Sequence, residues 1–420
     1  MPVVAVAIGL ALVALFLLRD PAVPVPVAQP AAEPRPVGLN SADSSAVGCD
    51  GRNVLAGDAR SLWLIGVRRA RIVTPARPIA LMVANLDEDR CPDVIAGLAD
   101  ATVMIIWGTK HGQAQTRILR PPPGRGASDF GRSLSAYRNI LAVGAPNDDD
   151  PGAPASGAVY LYAFAGREPA DFQRISQNTP GVAGNSESGD HFGWSLAAGR
   201  SPERPGAVLA VGVPDENTDG AEAENGVGVK SAGAMVLLIN PLADARRSRK
   251  YTYAQGAVPG ARYGYALAAG NLDEDSYLLV GAPGADAVDV IKTDGHRPLE
   301  VQNTLFPPKP GVGFGTAVAI SDGRAIVGMP QAEDGRGAIS VGGTNPKTPA
   351  TLLTAPDGRP GDRFGTTVTI TANLKITVGA PGAAAVTLYD LDTLAPLNQL
   401  TTPPDTAGFG GILGHHAPPW

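Results

Sequence analysis

Apolar and polar positions along this chain repeat one figure. An aromatic-glycine pair opens it, a short alternating run follows, an apolar run then ends in Gly-Ala-Pro or a relative, and a second apolar run closes it. The figure reads FGRSLSAYRNILAVGAP with GAVYLYAF over residues 130–164, and FGWSLAAG, AVLAVGVP and GAMVLLI over 192–239. YGYALAAG, YLLVGAP and AVDVI follow over 263–291, then FGTAVAI, RAIVGMP and GAISVG over 314–342. FGTTVTI, KITVGAP and AAVTLYDL cover 364–391, and a more divergent copy, IALMVA, DVIAG and ATVMIIW, covers 79–107. Runs of about five to seven residues rich in Val, Ile, Leu and Ala, bounded by Gly, Pro or Asp, predict strands rather than helices. A further short candidate follows the second apolar run, as in FQRIS (172–176) and TLLT (351–354).

Four strands per regularly spaced unit is the signature of propeller blades; a stacked β-solenoid, whose repeats are shorter, is the alternative. The chain ends supply one more unit. FGGIL (409–413) opens like a first strand, RNVLAG (52–57) resembles RNILAVG (138–144), and SLWLIG (61–66) and ARIV (70–73) stand where third and fourth strands belong. A ring must close to leave no exposed edge. The expected fold is therefore all-β: a seven-bladed β-propeller of four-stranded blades, closed by a C-terminal strand that joins N-terminal strands.

Composition supports a folded domain with an extension. The chain has 420 residues, 52 Gly and 39 Pro, and 44% are apolar, enough for a sizeable core. Val3 to Leu18 is continuously apolar, which predicts a signal peptide or signal anchor over 1–20. Residues 21–45 read as a Pro-rich linker and 46–420 as the propeller. The expected location is extracellular or in the cell envelope, secreted or tethered to the membrane through residues 3–18. A net charge of −6 and a pI near 5.4 give no reason to expect nucleic acid as partner.

Charge patterning changes the picture at one stretch. NLDEDRCPD (85–93) and NLDEDSYLLVG (271–281) begin with the same five letters. Oxygen side chains at alternate positions of a tight loop can surround Ca²⁺, and the same letters also serve a solvated acidic turn. An EF-hand is excluded, because the twelfth position counted from Asn85 is Ala96 rather than Glu.

Phe-Gly, an acidic loop and Gly-Ala-Pro in this order resemble the FG-GAP repeats of integrin α-subunit propellers and their bacterial relatives, over roughly residues 46–420. In that family the cation loop joins the first and second strands of a blade, where NLDEDRCPD sits between IALMVA and DVIAG. The resemblance implies Ca²⁺ as cofactor, held by Asn85, Asp87, Asp89, the backbone carbonyl of Cys91, and Asp93. Arg90 replaces a family glycine at a place that needs positive φ. A second, weaker site is implied at Asn271, Asp273 and Asp275, where Leu279 replaces the last carboxylate.

The resemblance also implies that loops between second and third strands gather on the opposite face. Two neighbouring units carry acidic insertions there, NDDDPGAPAS (147–156) and PDENTDGAEAENGVGVKSA (214–232). Asp148, Asp149, Asp150, Asp215, Glu216, Asp219, Glu222 and Glu224 are the expected ligand-binding set, facing a protein or glycan. The function implied is a binding or adhesion module, with a carbohydrate-binding propeller or a propeller hydrolase as alternatives. An enzyme is not expected. Gly193-Trp194-Ser195 only hints at a nucleophile elbow, since Ala197 breaks G-x-S-x-G and Ser133, Ala266, Ala317 and Thr367 hold the same slot in other units. Cys49 and Cys91 fall in equivalent junctions of adjacent blades of an exported chain, which predicts a disulfide.

Overall fold

The computed structural model describes residues 36–38, 49, 54–65, 69–110, 115–122, 129–200, 207–217, 228–242, 247–272, 275–293, 300–344, 349–371, 373–401 and 408–417. The expected signal segment therefore lies outside the described residues. Among those described, no helix is long and apolar enough to cross a membrane.

The chain is all-β. After β1 (Pro36–Gly38) come β2 (Val54–Gly57), β3 (Ser61–Ile65) and β4 (Arg69–Val73). Next are β5 (Pro78–Ala84), β6 (Asp93–Leu98), β7 (Thr102–Ile106) and β8 (Thr116–Leu119). Then follow β9 (Ser133–Tyr137), β10 (Ile140–Ala145), β11 (Ala158–Ala165) and β12 (Glu168–Ile175). The fourth group is β13 (Leu196–Arg200), β14 (Ala207–Val213), β15 (Ala234–Ile239) and β16 (Arg247–Tyr251). The fifth is β17 (Ala266–Leu272), β18 (Asp275–Ala282), β19 (Ala287–Thr293) and β20 (Glu300–Leu305). The sixth is β21 (Val318–Ser321), β22 (Arg324–Met329), β23 (Ala338–Gly343) and β24 (Thr351–Leu353). Last come β25 (Thr367–Ile370), β26 (Lys375–Ala380), β27 (Ala385–Asp390), β28 (Pro396–Thr401) and β29 (Ile412–His416).

Strands β9–β12, β13–β16, β17–β20 and β21–β24 each form a four-stranded antiparallel sheet in sequence order. Strands β25–β28 do the same and take β1 on their outer edge, where Pro36 to Gly38 run parallel to Gln399 to Thr401. Part of the expected Pro-rich linker is thus a strand, at the edge position that tolerates proline. Strand β29 pairs antiparallel with β2 (Ala56 opposite Leu413) and parallel with β5 (Leu81 opposite Gly414), which joins β2–β4 and β5–β8 in one eight-stranded sheet.

Apolar clusters fill the spaces between consecutive sheets rather than one common centre. Leu161, Phe192, Val211 and Val236 join the third and fourth groups, and Trp63, Val386, Phe409 and Leu413 join the last group to the N-terminal strands. These runs read as almost continuously apolar because a strand between two neighbouring sheets is buried on both faces.

The aromatic-glycine and Gly-Ala-Pro elements turn out to be two halves of one seam. The six aromatic side chains, Phe130, Phe192, Tyr263, Phe314, Phe364 and Phe409, are at most 1% exposed. Each is flanked by two left-handed residues, as with His191 (φ 61°) and Gly193 (φ 91°), a kink that drops the ring between two sheets. Gly193 N–H donates to the carbonyl of Gly212 in β14, the second strand of the same unit (3.1 Å). A Cβ on Gly212 would in turn stand 2.0 Å from the carbonyl oxygen of Gly264, the aromatic-following glycine of the next unit. The same approach, at 1.9–2.2 Å, recurs at Gly97, Gly144, Gly281, Gly328 and Gly379. Only a residue without Cβ lets successive sheets come this close.

Candidate functional site

Two regions at opposite ends of the inner strands carry the candidate chemistry. The first is the 85–93 loop joining β5 to β6. It is a tight turn in which Glu88 (φ 57°) and Arg90 (φ 73°) are both left-handed, so the residue that replaces the family glycine adopts the glycine-like conformation. Asp93 is fully buried; its carboxylate accepts the N–H groups of Leu86 (2.8 Å) and Gly108 (2.9 Å). Burial nevertheless pushes its pKa up to about 7, with the charges of Asp87 and Asp89 adding to the rise. Asp87 and Asp89 also accept amides of the loop, from Asp89 (3.3 Å) and Cys91 (2.7 Å). The buried Asn85 Oδ1 meets no hydrogen-bond donor among the described residues.

A guanidinium reaches into this loop from the next unit. Arg167, in the turn between β11 and β12, donates from Nε to Asp87 Oδ2 (2.8 Å) and from Nη2 to Asp89 Oδ2 (3.4 Å). It also donates to Gln115 Oε1 (3.1 Å) and the Gly108 carbonyl (3.3 Å), and it lies 5.7 Å from the Trp107 ring centroid. The oxygen donors and the open Asn85 Oδ1 suit a hard cation. Ca²⁺ would have to displace Arg167 from two of its ligands. Among the described residues no three acidic, histidine or cysteine side chains already converge as a metal site. Cys91 in the same loop is bonded to Cys49, with a Cα separation of 4.2 Å.

The second acidic copy is built differently. Asn271 and Leu272 continue the β17 ladder opposite Ser276 and Asp275, so the segment is a tight hairpin rather than an open loop. Asp273 lies outside the described residues.

The expected acidic surface requires correction. Asp148 and Asp150 are buried and paired with Arg174 on β12, Nε to Asp148 Oδ2 at 2.9 Å and Nη1 to Asp150 Oδ1 at 2.8 Å. Tyr160 O–H also donates to Asp148 (2.6 Å) and Ser186 O–H to Asp150 (2.7 Å). Glu216 is buried too, accepting Lys250 Nζ from β16 (2.8 Å) and the amide of Gln177 (2.7 Å). Burial without a partner is so costly that these acids bring their cations with them. Asp149 is exposed and caps the Ala155 N–H (2.7 Å). Asp215 is held by His191 Nδ1 (2.8 Å) and Arg262 Nη2 (2.9 Å). Asp219, Glu222 and Glu224 lie outside the described residues. No single negative surface forms from the residues that are described.

The same face instead carries a basic aromatic cluster at the mouth of a central cavity of about 350 Å³. Its rim includes Arg132, Trp194, Thr316, Thr366 and Gly411, each the residue after an aromatic-glycine pair; Tyr265 holds the same slot. The Arg132 guanidinium lies 4.5 Å from the Trp194 ring centroid. Arg262 lies 5.2 Å from that ring and 4.9 Å from Tyr265. His191 and Tyr265 tilt against the indole at 5.9 and 5.6 Å. Aligning the units on Phe-Gly and comparing the following slot would have found these residues in the sequence. Below the rim the wall is apolar, with Leu134, Leu196, Val318 and Val368. In that wall burial, with His416 beside it, holds the His415 pKa down near 4, so the ring is neutral. Ser195 is no nucleophile candidate: its hydroxyl donates to the Gly264 carbonyl (2.7 Å), as Ser133 does to Gly193 (2.7 Å) and Thr367 to Gly410 (2.8 Å).

Comparison with known proteins agrees with this construction. Residues 114–162 and 350–389 match the family described as FG-GAP repeat. No curated protein sequence matches the chain. Among solved structures, apo AztD from Citrobacter koseri is similar over 86% of this chain and 97% of its own, with 13% identity and a TM-score of 0.50. Virginiamycin B lyase from Staphylococcus aureus is similar over 76% of this chain and 83% of its own, with 12% identity and a TM-score of 0.50. Identities this low speak for the fold alone. With the recurrent seam and the four-stranded sheets, these matches show a chain that carries FG-GAP repeats, matched over 114–162 and 350–389, on a propeller-like all-β fold.

Proposed function

We propose that this chain is an exported, seven-bladed FG-GAP propeller that acts as a binding module for a macromolecular ligand. Support for the closed ring comes from β29, which pairs with β2 as the inner strand of an N-terminal blade and also flanks β5. Apolar clusters fill every gap between successive units, the last to the first included. Export rests on the apolar segment 3–18 and accords with the Cys49–Cys91 bond, which persists in oxidising compartments.

Ca²⁺ at the 85–93 loop belongs to the same proposal. Asn85, Asp87, Asp89, the Cys91 carbonyl and Asp93 would hold it, and it would supply a structural tie between β5 and β6. The open Asn85 Oδ1 is the observation that favours this reading.

Binding rather than catalysis is carried by the half-buried Trp194, Arg132 and Arg262 at the cavity mouth, preorganised contact residues beside inter-unit loops. The experiment is a protein and glycan array screened with the purified domain and with Trp194→Ala, in Ca²⁺ and in chelator. A ligand bound by the wild type and lost in the variant is the expected result. An array on which the two proteins behave alike refutes the face assignment.

A further inference from the structure

We propose that the cavity mouth binds a carboxylate presented by an acidic protein segment, with Arg132 as its direct partner. The inference rests on the binding-module reading and names the chemistry of its ligand.

The two arginines of the mouth differ in one respect. Arg262 is tied into the protein: its Nη2 donates to Asp215, and its guanidinium sits against both Trp194 and Tyr265. Arg132 is held only by the Trp194 face at 4.5 Å, and among the described residues no carboxylate pairs with it. Among the described residues its guanidinium N–H groups therefore remain available. A guanidinium held over an indole keeps its charge and its planar fork, and loses little freedom when it binds a carboxylate. Bidentate pairing of that fork with carboxylate is among the stronger charge-assisted contacts.

Charge and shape restrict the ligand further. Among the described residues the mouth sets two guanidinium groups, Arg132 and Arg262, against one acid, Asp215, which pairs with Arg262 and His191, in a chain whose formal net charge is −6. The apolar wall beneath, Leu134, Leu196, Val318 and Val368, suits the methylene stem of an acidic side chain. A cavity of about 350 Å³ holds one or two side chains rather than a run of sugar rings. The Trp194 ring is already contacted by Arg132, Arg262, His191 and Tyr265, which leaves little open face for a pyranose to stack on. An acidic peptide is favoured over an acidic glycan on these grounds.

The test titrates the full chain with a hexaglutamate peptide, following indole fluorescence and thermophoresis, with hexaglutamine and an oligo-uronate run in parallel. Expected are salt-sensitive binding of hexaglutamate, none of hexaglutamine, and at least a tenfold loss in Arg132→Gln. The Arg132→Gln melting curve should lie close to the wild type, because the lost contact is a weak, half-exposed one with Trp194 and, among the described residues, no ion pair is broken. Hexaglutamate binding that is equal in wild type and Arg132→Gln overturns the site. Uronate binding that depends on Arg132, without peptide binding, overturns the choice of a protein ligand. If neither anion binds while the array yields a ligand that needs Trp194, the carboxylate inference fails and the binding function stands.

Discussion

Gly212→Ala should be among the most damaging single-methyl additions in this protein. The new Cβ would stand 2.0 Å from the Gly264 carbonyl oxygen and 2.2 Å from Ser195 Oγ. An ordinary contact is more than an ångström longer. Serine can rotate, but its hydroxyl then gives up the 2.7 Å bond to Gly264, a loss of about 1 kcal/mol. The carbonyl cannot move alone. Gly264 N–H is bonded to the Gly281 carbonyl (3.0 Å) and Tyr263 N–H to Ala232 (3.0 Å), so displacement shifts one sheet against the next. Overpacking of this kind costs about 1–3 kcal/mol and more where backbone must yield. A gain of about 0.5–1 kcal/mol from stiffening the unfolded chain opposes it. The net expectation is a destabilisation of about 1–3.5 kcal/mol, towards the upper end where the backbone must yield.

Gly189 is the control. It is left-handed (φ 82°), yet a Cβ there meets nothing within 4 Å, so Gly189→Ala carries only the conformational cost of about 1 kcal/mol. Urea unfolding followed by circular dichroism, with slopes compared between variants, measures both. If Gly212→Ala loses no more stability than Gly189→Ala, the inter-sheet seam is not what demands glycine, and the account of the repeat fails.

Three further outcomes are expected. Arg167→Gln should deepen the Ca²⁺-dependent rise in melting temperature by freeing Asp87 and Asp89; equal responses in variant and wild type would show that the guanidinium and the ion do not compete. Reducing the Cys49–Cys91 bond, which spans 42 residues, should lower stability by up to about 4 kcal/mol, read as a urea midpoint shift between oxidised and reduced protein whose intact masses differ by about 2 Da. Asp190 has its pKa raised to about 8 by burial and by the nearby Glu216 and Glu187 charges, so the folded state holds a proton that the unfolded state has released above pH 4. Its contribution to stability must therefore fall as pH rises from about 4 to 8, and Asp190→Asn should remove a slope approaching 1.4 kcal/mol per pH unit; parallel pH profiles for the two proteins would refute this.

The fold was legible in the sequence because every unit repeats the same local demands. Period-two apolar runs, a left-handed glycine and a sharp stop at Gly-Ala-Pro are each set by backbone sterics within a few residues, and repetition separates them from chance. The seam between Gly212 and Gly264 was less legible, since each glycine is explained only by a partner in the next sheet. Positions in the strand ends escaped altogether where pairing crosses the chain, as with Pro36 against Gln399.

The acids show the limit in its clearest form. On the page NDDD and PDEN read as solvated loop tips, and charge density alone predicts an acidic surface. The cations that reverse this reading stand on fourth strands: Arg174 lies 26 residues beyond Asp148, and Lys250 lies 34 beyond Glu216. Both acids follow the proline that ends a second strand, and both bases come from the outer strand of the same unit, so the pair ties the inner half of a blade to its edge. Such a pair is weak evidence of stability, yet breaking it from one side is costly, because the remaining charge has no water to turn to. An acid two residues after this proline, with Arg or Lys on the fourth strand, is therefore better read as an internal tie than as a ligand site. The residues we propose to meet a partner are instead those in the slot after the aromatic-glycine pair, where the seam holds the backbone while the side chain differs from unit to unit: Arg132, Trp194, Tyr265, Thr316, Thr366 and Gly411.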